Sequence, residues 1–326
     1  AEALIYNESL EGMLVTIADP AVIVAPTTRF GEFTAVYEKW GVDQVARTDS
    51  VGFLMFVDDG STVAYDDRAD MAYALKVGDR IGGIAGPLSY TFGNYKIAPL
   101  ALPVLIEETA VSLPTLPAYP ENSLSVATFN VENLFDADGI SNYGEYVPSE
   151  YTPKHLLAKL QNIASILAKA DSPHGPDVIV FNEIEIDQSP ETTVSDYSAW
   201  LESTKEKPIA SILSEKRLAP EFAGIPAEAW LLKACDEAGL KGYHVIITSE
   251  KSGDAYSGGR PRTVRNVIFS RFPVLSSKSH HSQNARDILE ARLDVDGRPL
   301  TVFANHWKSG ASDPRSEAAR VSNAKT

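Results

Sequence analysis

Three apolar runs, far apart in the chain, each end on a side chain able to handle a metal ion or a phosphate. Residues 125–129 lead to Asn130, residues 177–182 to Glu183, and residues 300–305 to His306. Continuous apolar segments of this kind read as buried strands, and open sheets build their sites at the carboxyl ends of such strands. If the three share one rim, an amide, a carboxylate and an imidazole meet there.

The elements that must position them follow from the pattern after residue 124, where strands alternate with helices and imply a layered α/β domain. Thr152 as N-cap and Pro153 at the first helical position open a helix whose Leu156, Leu160, Ile163 and Leu167 form one apolar stripe. This helix is expected to end near Asp171-Ser172-Pro173. Prolines 208, 220 and 226 break a second helical region over 195–239, and strands resume at 243–248, 264–270 and 288–294. Residues 1–112 read differently. Short strands near 13–17, 22–24, 33–37, 51–57 and 81–85, separated by turn signals at Asp58-Asp59-Gly60 and Gly78-Asp79, predict an all-β module, most simply a small closed barrel. Between the two, residues 113–123 include the proline-rich stretch 113–120, an extended spacer that marks the boundary.

Composition bounds the function. A chain of 326 residues with 44% hydrophobic side chains has enough apolar material for two folded domains. With 29 basic against 44 acidic residues the formal charge is -15, which argues against binding nucleic acid through a bulk positive field. Any phosphate must be met locally. The run Gly258-Gly259-Arg260-Pro261-Arg262-Thr263-Val264-Arg265 is the first candidate, followed by Arg271, Arg286, Lys308, Arg315 and Arg320. The single cysteine, Cys235, excludes an internal disulfide and reads as a buried helix residue. No stretch of eighteen uncharged apolar residues occurs, so no membrane span is expected; the amino end lacks a basic start followed by an apolar core, as if any secretion signal had been removed.

Four motifs in order carry a family resemblance: Ala127-Thr128-Phe129-Asn130-Val131-Glu132-Asn133-Leu134, Val180-Phe181-Asn182-Glu183-Ile184-Glu185, Val267-Ile268-Phe269-Ser270-Arg271-Phe272-Pro273 and Ala304-Asn305-His306-Trp307-Lys308-Ser309. Together they resemble the endonuclease/exonuclease/phosphatase superfamily over residues 124–326, in wording closest to bacterial extracellular deoxyribonucleases. The segment Val77-Gly78-Asp79-Arg80-Ile81-Gly82-Gly83-Ile84-Ala85-Gly86, with Tyr90, Phe92, Gly93 and Tyr95, resembles the OB-like domain that precedes the catalytic domain in some of those nucleases. In such domains exposed aromatics stack bases, although packing within the barrel is the simpler role for these three. The fold implied is α+β: an OB-like barrel followed by a four-layered, deoxyribonuclease-like α/β sandwich.

The chemistry explains the residue types. Cleaving a phosphodiester needs charge stabilisation on the non-bridging oxygens and an in-line water, and a hard divalent ion supplies much of this. Magnesium is commonly held by one or two carboxylates plus water and substrate phosphate. The resemblance implies Glu183 as direct metal ligand, Asn130 as the amide supporting metal or phosphate, and Glu132 as a further acid acting through water. It implies His306 on the scissile phosphate and Arg286 as a phosphate contact, while Arg262, Arg265 and Lys308 are expected on the phosphate-facing edge. His155, His174, His244, His280 and His281 have no such context, and no acidic partner for His306 is identifiable. The implied cofactor is Mg2+, with Mn2+ or Ca2+ as alternatives. The implied activity is sequence-tolerant hydrolysis of DNA to 3′-hydroxyl and 5′-phosphate ends, in a secreted or periplasmic bacterial protein with no obligate protein partner. A phosphoesterase acting on lipid head groups or inositol phosphates is the alternative, and a non-catalytic nucleic-acid or polysaccharide binder the second. Endo- or exo-cleavage, and DNA or RNA, stay open.

The family pattern includes a Gly-Asp-x-Asn and a terminal Asp-His pair after the strand of His306, and neither occurs before Thr326. Gly253-Asp254-Ala255 and Ser312-Asp313-Pro314 do not match. An interior strand burying on the order of 500 Å² contributes ~12 kcal/mol at ~25 cal/mol per Å², as much as the ~5–15 kcal/mol that holds a whole domain. The sequence is therefore expected to be the front part of a longer enzyme, its α/β domain incomplete at the carboxyl end.

Overall fold

The computed structural model describes residues 2–42, 45, 53–61, 63–65, 70–110, 120, 123–138, 151–170, 174–186, 194–215, 217–251, 253–256, 259–283, 285–310 and 313–325. The core of the proline-rich spacer (113–119), the expected helix end at 171–173, Gly258 and Ser312 lie outside them. The chain divides into two compact units, Ala1–Pro114 and Thr115–Thr326.

In the first unit a helix α1 (Glu2–Leu10) precedes strands β1 (Leu14–Ile17), β2 (Ala21–Ala25), β3 (Glu32–Tyr37), β4 (Met55–Asp58), β5 (Arg80–Gly82), β6 (Ile84–Thr91), β7 (Asn94–Ile97) and β8 (Val104–Glu107). They form one eight-stranded sheet in the order β1-β6-β7-β4-β3-β2-β5-β8, antiparallel except for β4 beside β7. Alternating side chains put Ile17, Ile23, Phe33, Val57, Ile81, Ile84 and Leu88 into its core. Gly86 is required by close approach, because a Cβ there would stand 1.9 Å from the Ala98 carbonyl oxygen. The small closed OB-like barrel expected from sequence is not shown by this sheet. β7 and β8 lie outside the strands read from sequence, and no pairing joins the edge strands β1 and β8 among the described residues. Of the three aromatics, Tyr95 packs against the core, while Tyr90 and Phe92 are exposed, Phe92 at the β6–β7 turn with φ 50°.

The second unit carries the strand ends of interest. β9 (Val126–Leu134), helix α2 (Pro153–Ala170) and β10 (Val178–Glu185) make a parallel pair with its crossover helix. The apolar stripe of α2 is buried, as its spacing predicts: Leu156, Leu160, Ile163 and Leu167 all pack in the core. Short helices α3 (Tyr197–Thr204) and α4 (Ile209–Ile212) and the longer α5 (Ala227–Glu237), with buried Cys235, follow. Then come β11 (His244–Ile247), β12 (Val264–Ser270), β13 (Val274–His280), β14 (Ile288–Val295), β15 (Arg298–Ala304) and α6 (Pro314–Ala324), whose N-cap Asp313 accepts from the Arg315 amide.

A four-stranded sheet, β11-β12-β10-β9, lies between the helices and a three-stranded sheet, β13-β14-β15. One face packs on α2 and α5 through Phe181, Phe269, Trp230 and Leu160; the other meets the smaller sheet through Val178, Val180, Ile268, Leu289, Ala291 and Ala304. The described residues thus form three layers, where sequence predicts four. Asn266, fully buried on β12, fastens the two sheets. Its amide nitrogen donates to the Asp287 and Ala304 carbonyls (2.8 and 3.2 Å), and its oxygen accepts from Asn182 Nδ2 (2.7 Å). A buried amide fully used in this way fixes register, so the end of β15 is held against the end of β10. Among the described residues no helix is long and apolar enough to cross a membrane.

Candidate active site

β10 carries one residue too many at its carboxyl end. Phe181 pairs with Val267 and Ile184 with Arg265, so Asn182 and Glu183 together face the single residue Asn266. On the other side Asn182 pairs with Asn130 and Ile184 with Leu134, which leaves three β9 residues opposite Glu183. Both strands therefore bulge at the same level. Glu183, Glu132 and Asn133 all adopt left-handed backbone, with φ of 69°, 55° and 58°. Such conformations cost of order 1–3 kcal/mol each in non-glycine residues and persist where surrounding contacts enforce them, commonly at functional sites.

The bulge aims the Glu183 carboxylate at the partners predicted from sequence. His306, two residues beyond β15, places Nε2 3.2 Å from Glu183 Oε1, and the Asn133 amide donates to Oε2 at 3.1 Å. The Asn130 side chain also hydrogen-bonds Glu183, while its Oδ1 accepts from the Glu132 amide at 2.8 Å. The loop bearing His306 is tied back where Asn182 Nδ2 donates to the Asn305 carbonyl at 3.3 Å. For Nε2 to donate to the carboxylate it must carry a proton, and His306 Nδ1 is buried without a hydrogen-bond partner among the described residues. Among the described residues no acid orients this imidazole from behind.

These contacts set the charge. The hydrogen bond from His306 is the largest cause holding the Glu183 carboxyl at about 2, against an ordinary 4.5; burial opposes it, and Asn130 and the charges of His306 and Arg286 add to it. With the folded value depressed, the carboxylate contributes stability above pH 4.5 that is lost as pH falls toward about 2. Replacing His306 by Ala is expected to return this carboxyl toward its ordinary range. Carboxyl-carbon NMR titration checks this, and an unmoved value would contradict the assigned cause.

The basic residues separate into two groups. Arg286 is half-buried, with no carboxylate within ion-pair distance among the described residues, and its positive field reaches Glu183. Lys308 is exposed two residues past His306. Arg262 and Arg265 are not on a phosphate-facing edge. Arg262 is fully buried, with Nη1 at 2.5 Å from Glu250 and 2.8 Å from Asp287, and Nη2 bonded to the Ser282 carbonyl. Arg265 is buried toward the helices, 2.8 Å from Glu228 of α5. Both guanidiniums are consumed by interior carboxylates that lie far away in sequence.

Two features escape the sequence reading. Lys159 of α2 donates to the carbonyls of Glu132 (2.5 Å) and Asn133 (3.0 Å); burial lowers its pKa, partly offset by Glu132 and Glu183. Its position three residues after Leu156 and four before Ile163, on the buried helix face, was the available signal. Beyond the bulge Asp136 and Glu185 are buried side by side, and burial together with Glu185 pushes the Asp136 carboxyl far up.

An ionised carboxylate flanked by amides suits a hard divalent cation, which takes oxygen ligands and needs few carboxylates. Asn133 Oδ1, buried and without a hydrogen-bond partner among the described residues, is a further oxygen at the bulge. Glu132 is exposed on the same bulge. No cluster of three or more His, Cys, Asp or Glu side chains arranged for a metal exists among the described residues.

Residues 1–107 match a family described as "Domain of unknown function (DUF8508)". No curated protein matches the chain. Among solved structures it is similar to an endonuclease/exonuclease/phosphatase family protein from Leptotrichia buccalis C-1013-b (10% identity, TM-score 0.33, covering 56% of this chain and 53% of that one). It is also similar to sphingomyelinase C from Streptomyces griseocarneus (14%, TM-score 0.33, 61% and 55%) and to an endonuclease/exonuclease/phosphatase from Beutenbergia cavernae DSM 12333 (19%, TM-score 0.32, 62% and 41%). The chain spans about half the length of these structures.

Proposed function

We propose that the second unit belongs to a metal-dependent phosphodiesterase of the endonuclease/exonuclease/phosphatase type, acting on DNA. The observation that carries this reading is the convergence of His306 and Asn130 on the Glu183 carboxylate, with the Arg286 charge acting on it and no ion pair to Arg286 among the described residues. Glu183 and Asn130 would hold Mg2+, and Glu132 would reach it through water. When bound, that ion neutralises charge developing on the phosphate oxygens. His306 would donate from Nε2 to a non-bridging oxygen or to the departing alkoxide. Arg286 binds the phosphate in its half-buried position, and Lys308 meets the strand at the rim. Water attacks phosphorus opposite the 3′ oxygen, whose bond to phosphorus breaks to leave 3′-hydroxyl and 5′-phosphate ends.

DNA is favoured over lipid by the wording of the four motifs, and the net charge of -15 makes recognition local. A setting outside the cytoplasm, secreted or periplasmic, fits the same resemblance. The full-length protein is expected to nick plasmid DNA in Mg2+ and to lose that activity in excess chelator. Hydrolysis of a phosphocholine lipid with plasmid untouched would move the substrate to head groups while keeping the site. No turnover of either in Mg2+, Mn2+ or Ca2+ would overturn the reading.

A further inference from the structure

Lys159 of α2 reaches the bulge from the helix side of the sheet. Its ammonium donates to two successive carbonyls, those of Glu132 and Asn133, whose residues are both left-handed. The Asn133 amide in turn donates to Glu183 Oε2. The lysine forms no ion pair with a carboxylate among the described residues, so these backbone oxygens are its solvation. Charge-assisted hydrogen bonds to two neighbouring carbonyls oppose relaxation of a costly backbone. Here the carbonyls and the amide they steer belong to the same three-residue bulge.

We propose that Lys159 is a positioning residue which clamps the β9 bulge so that the Asn133 amide fixes the Glu183 carboxylate for cation binding. This rests on the metal reading of Glu183 given above and extends it to the helix behind the sheet. The role makes a prediction of opposite sign to simple electrostatics. A positive charge near a cation site repels the cation, so neutralising it should tighten binding. If Lys159 instead holds the carboxylate in place, neutralising it should weaken binding.

The experiment compares the unaltered chain with Lys159→Met and Lys159→Arg, all without substrate. Amide hydrogen exchange in β9 is read by mass spectrometry with residue-level fragmentation, and Mn2+ binding by electron paramagnetic resonance. In Lys159→Met the Asn133 amide is expected to exchange about tenfold faster, with the β12 and β14 amides unchanged. The Mn2+ dissociation constant is expected to rise by about tenfold. Lys159→Arg, which keeps charge and donors, should lie nearer the unaltered chain in both. Unchanged exchange at Asn133, or tighter Mn2+ binding in Lys159→Met, would overturn the proposal. Should Lys159→Met fail to fold, Lys159→Gln replaces it with the same outcomes. If the unaltered chain binds no Mn2+, the metal reading fails by itself, and exchange at Asn133 still decides whether Lys159 is the clamp.

Discussion

Glu183→Gln is expected to lower phosphodiester hydrolysis by at least about a thousandfold, or about 4 kcal/mol of transition-state stabilisation, while leaving the protein folded. The substitution keeps the shape of the side chain and an oxygen that can accept from the Asn133 amide, so the bulge retains that hydrogen bond. What it removes is the negative charge of a carboxyl whose pKa the site holds at about 2. A site with a single direct carboxylate has no second carboxylate to share the ion, so the loss falls mainly on catalysis, while the fold loses only what this charge contributes above pH 4.5. Steady-state rates on plasmid or an oligonucleotide, with a thermal melt on the same sample, separate the two. A variant melting near the unaltered chain with rates within tenfold of it would sink the assignment.

Arg262→Met is expected to do the reverse, costing about 3–5 kcal/mol of stability because it strands two interior carboxylates. Glu250 and Asp287 both lean on Nη1, and the same guanidinium caps the Ser282 carbonyl. The thioether fills much of the volume and supplies none of the charge. The deficit should depend on pH. Burial already raises the Glu250 carboxyl, and removing its cation raises it further. A carboxyl raised in the folded state supports the fold only while protonated, so the variant should be closest to the unaltered chain at acid pH and fall behind as pH rises. Urea titrations at pH 5 and pH 8 measure this, and equal losses at both would contradict the buried-charge account. Asp287 directly precedes β14 and follows Arg286, so the same cluster sets where Arg286 stands.

Residues whose placement depends on strand ends were readable in the sequence, and residues whose placement depends on distant partners were not. Asn130, Glu183 and His306 end apolar runs, and a parallel pair with its crossover helix brings two of them to one rim by geometry alone. The stripe on α2 was likewise plain from its spacing. Arg262 and Arg265 looked like a basic loop because their acidic partners lie 12, 25 and 37 positions away, which no local pattern encodes. The bulge at Glu183 was hidden for a related reason: it exists only as a mismatch in count between neighbouring strands. Closure of the first unit depends on strand number and register, and short strands such as β7 and β8 reveal neither.

The central claim is that the Glu183 carboxylate holds a divalent cation beside His306. Crystals of the protein grown with Mn2+ and measured at a wavelength where manganese scatters anomalously test it most directly. The account predicts an anomalous peak about 2.0–2.3 Å from a Glu183 oxygen, absent in Glu183→Gln. A peak that persists in that variant, or a site empty at saturating Mn2+, would contradict it.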